Sequence, residues 1–359
     1  METDLSAQEE QALRASCTRF LYGHGFRSPA DLLSELPDEI APDRYGEGGV
    51  VAELEAEVAT LLGKPAGVFL PSGTMAQQIT LRVHADRRGS RTVVFHPTCH
   101  LDVHEGKGYE RLHGLVGRPA GDAHRLLALE DLQGVAERPA ALLLELPQRE
   151  IGGPLPAWDD LVAQVEWAHG RGAAVHMDGA RLWGCGPFYQ RTLAEIAEPF
   201  DTVYVSFYKQ LGGITGSCVA GPEDIVAEVR EWRRRHGGTL FALWPYAASA
   251  LASMRRRLPS MPRYVEHARA IAAAVGDLPG LEVVPDPPPA GTMHLLLHAP
   301  ADRLRAASLR LAREDGIWTW PRPEPTAAPG VQEVELEVGD ATLEFDPAEV
   351  RDVLEVLLA

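Results

Sequence analysis

The stretch from Ala173 to Ser217 constrains this chain more than any other. It holds two short apolar runs that end abruptly in polar residues and glycine. The first is Val175-His176-Met177-Asp178-Gly179-Ala180-Arg181-Leu182-Trp183. The second is Val203-Tyr204-Val205-Ser206-Phe207-Tyr208-Lys209, followed by Gln210-Leu211-Gly212-Gly213. Apolar runs of this length bounded by glycine read as buried strands. One strand end delivers a carboxylate and the next an amine, 31 residues later. That is room for one crossover helix and its loops.

The rest of the chain extends the pattern. Ala66 to Leu70, Arg91 to Phe95 and Ala140 to Leu146 read as further buried strands, and Trp158 to Gly170 reads as a helix. Strand and helix alternate from residue 66 to about 220, so the expected fold is α/β with a mostly parallel sheet and functional groups at the strand ends. Gly216 to Pro222 reads as a returning strand and Glu223 to Arg235 as a helix with a solvated basic end. Leu240 to Arg257 reads as an apolar helix broken near Pro245. The expected division is an N-terminal helix and arm over 1–45, a large domain over 46–254 and a small α+β domain over 255–359. In the arm, Ala7 to Leu21 reads as an amphipathic helix and Asp43 to Gly49 as a flexible polar loop.

Composition narrows the partners. The formal charge of −17 disfavours nucleic acid, whose phosphates would be repelled. The longest apolar run, Leu240 to Met254, contains Pro245 and polar interruptions and is too short to span a bilayer. Met1-Glu2-Thr3-Asp4 shows no secretory signal, and Cys17, Cys99, Cys185 and Cys218 lack CxxC spacing. A reducing cytoplasm is the expected setting.

Lysine occurs at only three positions, 64, 107 and 209, against 31 arginines. A chain that otherwise uses arginine for positive charge has reason to keep a lysine where an amine nucleophile is needed, because guanidinium does not give up its proton. Lys209 lies at an otherwise uncharged strand end. An amine there, with Asp178 at the neighbouring strand end, suits pyridoxal phosphate: the amine condenses with the aldehyde and the acid keeps the pyridine nitrogen protonated.

Two other segments bear on this reading. Phe69-Leu70-Pro71-Ser72-Gly73-Thr74-Met75 turns from a strand into a helix whose first amides favour an anion, although Ser-Gly-Thr is also an ordinary helix cap. His96-Pro97-Thr98-Cys99-His100-Leu101-Asp102-Val103-His104-Glu105 has histidines four apart. They fit a zinc-binding helix face, a ring packed on a cofactor, or satisfied structural histidines. No second ligand cluster with matching spacing appears, so no metal is expected.

These residues resemble the threonine aldolase and aromatic β-eliminating lyase family of fold-type I pyridoxal phosphate enzymes, over roughly residues 43 to 240. The resemblance is densest in His176 to Leu182. It implies that Asp178 pairs with the pyridine nitrogen and that Arg181 lies near the ring hydroxyl and the substrate carboxylate. It implies a phosphate turn at Ser72, Gly73 and Thr74, a stacked ring at His100, a phosphate contact from Ser206 and a Schiff base on Lys209. The expected activity is lyase cleavage at the Cα–Cβ region of a β-hydroxy or β-substituted amino acid. The alternatives are β-elimination, transamination or racemisation on the same cofactor, or a binding protein without turnover. A homodimer or homotetramer is implied.

The chain departs from the family pattern on the substrate side. Tyr208-Lys209-Gln210 stands where Ser-Lys-Gly is usual, and Gln148 stands nearest the family's second histidine. Leu240-Phe241 follows Gly237-Gly238 where an arginine is usual, and no carboxylate-binding arginine is evident from Val331 to Leu343. The expected substrate is therefore not plain threonine.

Overall fold

The computed structural model describes residues 5–359, and the Met1-Glu2-Thr3-Asp4 start lies outside them. It divides into two compact units, Ala30–Pro259 and a second formed by the described residues up to Pro29 with Ser260–Ala359.

The larger unit is built on seven strands: β1 (Ala66–Leu70), β2 (Thr92–Phe95), β3 (Val116–Pro119), β4 (Ala141–Glu145), β5 (Ala174–Gly179), β6 (Thr202–Ser206) and β7 (Ser217–Gly221). Their order across the sheet is β1-β7-β6-β5-β4-β2-β3. Only β7 runs against its neighbours; the other pairings are parallel. Every residue of β5, β6 and β7 is buried, as a sheet covered on both faces requires. The flanking helices are α1 (Gly49–Leu61), α2 (Gly73–Arg88), α3 (Trp158–Gly170), α4 (Glu223–Arg235) and α5 (Trp244–Arg257). Helix α2 opens on Ser72, whose hydroxyl accepts from Met75 N, and closes on Gly89 in the left-handed conformation, φ 60°.

Three sequence expectations change here. Pro245 stands in the first turn of α5, where a missing N–H costs nothing, so it starts the helix instead of breaking it. Arg233 is buried, 1% exposed, and donates to Phe69 O at 2.7 Å; only Arg234 and Arg235 form the solvated end. The Asp43 loop is pinned. The carboxylate of Asp43 accepts from Gly46 N, Leu243 N and Trp244 N at 2.7–2.8 Å, the lengths of charge-assisted bonds.

The smaller unit has an antiparallel sheet of β8 (Leu281–Val284), β9 (Thr292–Leu297) and β10 (Gln332–Glu337), with Glu324–Pro325 as a short edge pairing on β10. Helices α6 (Met261–Val275), α7 (Ala301–Glu314) and α8 (Pro347–Leu358) pack in it, beside the N-terminal helix Ala7–Ser16. The N-terminal segment is part of this unit and not a separate arm. Its helix ends at Ser16, short of the expected Leu21, because Cys17 and Phe20 turn inward to pack with Ala312, Trp318 and Ala341. Arg19–Phe20 then pairs in parallel with Ile317–Trp318. No helix among the described residues is long and apolar enough to cross a membrane.

Beneath the centre of the large sheet lies a buried polar chain. His176 on β5 contacts Gln77 Oε1 through Nε2 and Thr202 Oγ1 through Nδ1, both at 2.8 Å, and His84 Nε2 lies 2.8 Å from Thr202 Oγ1. Gln77 Oε1 only accepts, so His176 carries its proton on Nε2. Thr202 then donates to Nδ1 of His176 and accepts from Nε2 of His84. Every proton has one place, and both rings are neutral. Burial pushes His176 down to about 3 and His84 well below the usual imidazole range.

The unfolded chain binds a proton at His176 below about pH 6.5 and the folded chain does not, so this group costs stability as the pH falls from there. His176→Gln, which cannot titrate, is expected to be destabilised at pH 7.5 and to close the gap to wild type by about 1.4 kcal/mol per pH unit below 6.5. Urea unfolding of both proteins between pH 7.5 and 5 measures this.

Candidate active site

The residues singled out in the sequence gather at the C-terminal edge of the large sheet. Register sets the central row: Glu145 on β4 is the Cα partner of Asp178 on β5, and Asp178 is the partner of Tyr204 on β6. Partners in adjacent strands project to the same face. Two carboxyl groups and a phenol thus stand side by side.

Asp178 is 2% exposed, and its Oδ1 accepts from Ala180 N at 3.0 Å. Burial raises its pKa, while the charges of Lys209 and His100 act in the opposite direction. Lys209 follows β6 in a turn tied at both ends. Gly212 N donates to Lys209 O at 3.0 Å, and Gly213 N donates to Phe207 O at 2.8 Å. Gly212 sits at φ 65°, and a Cβ on Gly213 would come within 3.0 Å of Phe207 O. The buried indole of Trp183 donates to Ser206 O at 2.8 Å and fixes the strand end from below. These contacts hold the root of the lysine, which as a residue is half-buried.

His100 begins a short helix after β2. Its Nδ1 lies 3.2 Å from Glu105 Oε1, and the side chain of Glu105 is only 2% exposed. The carboxylate of Glu105 raises the pKa of His100, against burial and the charge of Lys209. Gln78 Nε2 holds the other oxygen of Glu105 at 3.3 Å. Further out, His104 Nε2 contacts Glu150 at 2.8 Å, so the two histidines have separate acidic partners. Arg181 is 8% exposed and its charge acts on Tyr208.

The turn into α2 lies beside Tyr204. A Cβ on Gly73 would stand 2.2 Å from Tyr204 Oη, so glycine is required for the phenol to reach the helix start. The first amides of any helix lack intrahelical partners. Ser72 is half-buried and Thr74 exposed. Ser206 Oγ is fully buried and makes no hydrogen bond of ordinary geometry, interacting with the phenols of Tyr204 and Tyr208 only outside it. These features suit pyridoxal phosphate. The helix start and the buried hydroxyl fit a phosphate, the buried acid fits a ring nitrogen, and the amine fits an aldehyde.

The sequence reading gave no role to Tyr204, to Glu105 or to Glu145, which lay within the expected strand Ala140 to Leu146. Glu145 had a signal, a lone charge ending an apolar strand, which is the signal that marks Asp178. Tyr204 had none, since a phenol inside an apolar strand looks like core.

Comparison with known proteins agrees with this geometry. The profile of the family described as beta-eliminating lyase matches residues 39–296. A provisionally named L-allo-threonine aldolase from Listeria monocytogenes superposes with a TM-score of 0.91 at 38% identity, covering 97% of this chain and 98% of its own. A provisionally named aromatic amino acid beta-eliminating lyase/threonine aldolase from Exiguobacterium has a TM-score of 0.90 at 38% identity, covering 96% and 99%. Low-specificity L-threonine aldolase 1 of Arabidopsis thaliana is 28% identical over 71% of this chain and 74% of its own length.

Gly73→Ala is expected to destabilise the protein by about 1–3 kcal/mol through overpacking against the phenol. Adding Tyr204→Phe removes the closest atom and should recover part of that loss. A double-mutant cycle by urea unfolding measures the coupling.

Proposed function

The chain belongs to the beta-eliminating lyase family, and within it we propose that Lys209, Asp178, His100, Arg181, Ser206 and the Ser72-Gly73-Thr74 turn form one site for cofactor and substrate. The protein is a pyridoxal phosphate-dependent lyase of the threonine aldolase type, acting on β-hydroxy amino acids. When bound, pyridoxal phosphate supplies an aldehyde for amine condensation and an electron-accepting ring.

The observation that carries the assignment of residues is the convergence of three groups at the same edge of the sheet. The charge of Lys209 acts on both Asp178, on the neighbouring strand, and His100, in the segment after β2. Lys209 would hold the cofactor and release it to the substrate amine. Asp178, buried and paired to one backbone amide, would keep a proton on the ring nitrogen. His100, oriented by Glu105, would pack on the ring. Arg181 would anchor a carboxylate or the ring oxygen through charge-assisted bonds. Ser206 and the amides after Ser72 would take the phosphate.

Gln148 in place of a histidine, and Leu240-Phe241 in place of an arginine, support a substrate other than plain threonine. A homodimer or homotetramer in a reducing cytoplasm belongs to the same reading. Support comes from the exposed Tyr45, Leu240 and Phe241 and from four buried, unpaired thiols.

Purified protein is expected to show a visible absorbance band that borohydride bleaches, and Lys209→Ala is expected to lack it. The variant should also lose at least about 100-fold in aldehyde release from a panel of β-hydroxy amino acids. An unchanged band in the variant would move the cofactor to another lysine.

A further inference from the structure

Cleavage of a β-hydroxy amino acid needs a group to take the hydroxyl proton as the Cα–Cβ bond breaks. The residues placed so far do not supply one. Gln148 cannot accept a proton under ordinary conditions. His100 is engaged through Nδ1 by the buried carboxylate of Glu105, which raises its pKa, and its ring is assigned to pack on the cofactor. Lys209, once freed by the substrate amine, would be the group that returns a proton to Cα, and Asp178 would be committed to the ring nitrogen.

Glu145 is unassigned. It ends β4 directly beside Asp178, deep in the cleft yet retaining some exposed surface. Its three contacts are long: 3.4 Å from His100 N, 3.2 Å from Arg149 N and 3.3 Å from Gln148 Nε2. A carboxylate used as a structural anchor is gripped at about 2.7–2.9 Å, the lengths found at Asp43. Glu145 is not gripped in this way. It is oriented by three donors and clamped by none. A small, partly open cavity of about 20 Å³ borders it, lined mainly by leucines with His96, Gln148 and Gln164.

We propose that Glu145 is the general base of this enzyme, taking the β-hydroxyl proton of the substrate during cleavage, an assignment that rests on the lyase reading above. The O–H bond breaks with its proton going to Glu145, and the oxygen's electron pair forms the aldehyde carbonyl as the Cα–Cβ bond breaks. Bound pyridoxal phosphate would supply the acceptor for the pair from that bond. Cα regains one proton, in net the one taken from the hydroxyl by Glu145, so nothing further is consumed. The charged groups acting on Glu145 are Asp178 from β5, which opposes its ionisation, and His100 from the segment after β2, which favours it, with the backbone amides of His100 and Arg149 donating to its oxygens. Burial and Asp178 push the carboxyl up to about 7, which suits proton exchange near neutrality.

The test compares wild type, Glu145→Gln and Glu145→Asp, each loaded with pyridoxal phosphate. Expected for Glu145→Gln is unchanged cofactor absorbance and KM, a kcat lower by about 100-fold or more, and loss of the acid limb of the pH–kcat profile. Glu145→Asp should keep that limb at a reduced rate. A second readout uses cofactor-free protein. Infrared titration should show a carboxylic acid band, absent from Glu145→Gln, that disappears near neutral pH. A Gln variant that keeps its rate or its acid limb, or a carboxyl that titrates in the ordinary glutamate range, overturns the assignment. Should the Gln variant fail to load or fold, the Asp variant's profile and the infrared titration decide. Wild-type protein that binds cofactor but cleaves no β-hydroxy amino acid overturns the lyase reading itself, and this assignment with it.

Discussion

The register between β4 and β5 governs the chemistry at this sheet edge. It sets Glu145 against Asp178, and two carboxyl groups at that spacing do not both ionise freely once removed from water. Position then differentiates them. The charges of Lys209 and His100 both favour the ionised form of Asp178, whereas Glu145 is favoured by His100 and by the amides of His100 and Arg149. A one-residue slip of β4 would turn Glu145 to the opposite face and separate the pair. The closed packing of β5, β6 and β7 makes such a slip costly, so the sheet protects the chemistry by protecting its own core.

Much of this could be read from the chain alone. Asp178 and Lys209 stand out because each interrupts a buried strand with a charge, and because lysine is scarce enough for its position to carry information. The α2 turn and His100 gained their meaning from residues elsewhere in the chain, through the family resemblance. What stayed hidden depends on non-local contacts. Glu145 matters through its neighbour on another strand, a fact of register that no local pattern contains. Arg233 looks like a solvated helix end, yet the point where a Cβ on Gly46 would sit is 2.5 Å from its guanidinium, so the loop packs tightly over it. Asp43 looks like part of a polar, mobile loop, and only its partners on the far side of the unit show it to be an anchor.

The same distinction separates cofactor from substrate. Groups suited to a constant ligand arise at strand ends and at a helix start, where backbone geometry leaves little freedom. Groups that face a variable substrate arise in the loop after β4, where Gln148, Arg149 and Glu150 lie in a single turn of 3₁₀ character. Substitution there disturbs no strand. The family pattern is accordingly kept in the first set of positions and altered in the second.

The contact between Asp43 and the amides of Leu243 and Trp244 closes a loop of 200 residues, and it shapes the order in which the protein can form. On the ribosome, Asp43 emerges long before its partners exist. Residues 5–29 wait longer still, because the strand and core they join lie beyond Ser260. The growing chain therefore carries an unsatisfied segment through most of its synthesis: the larger unit can close once Trp244 and its neighbours have emerged, and the smaller one only when the last hundred residues have followed.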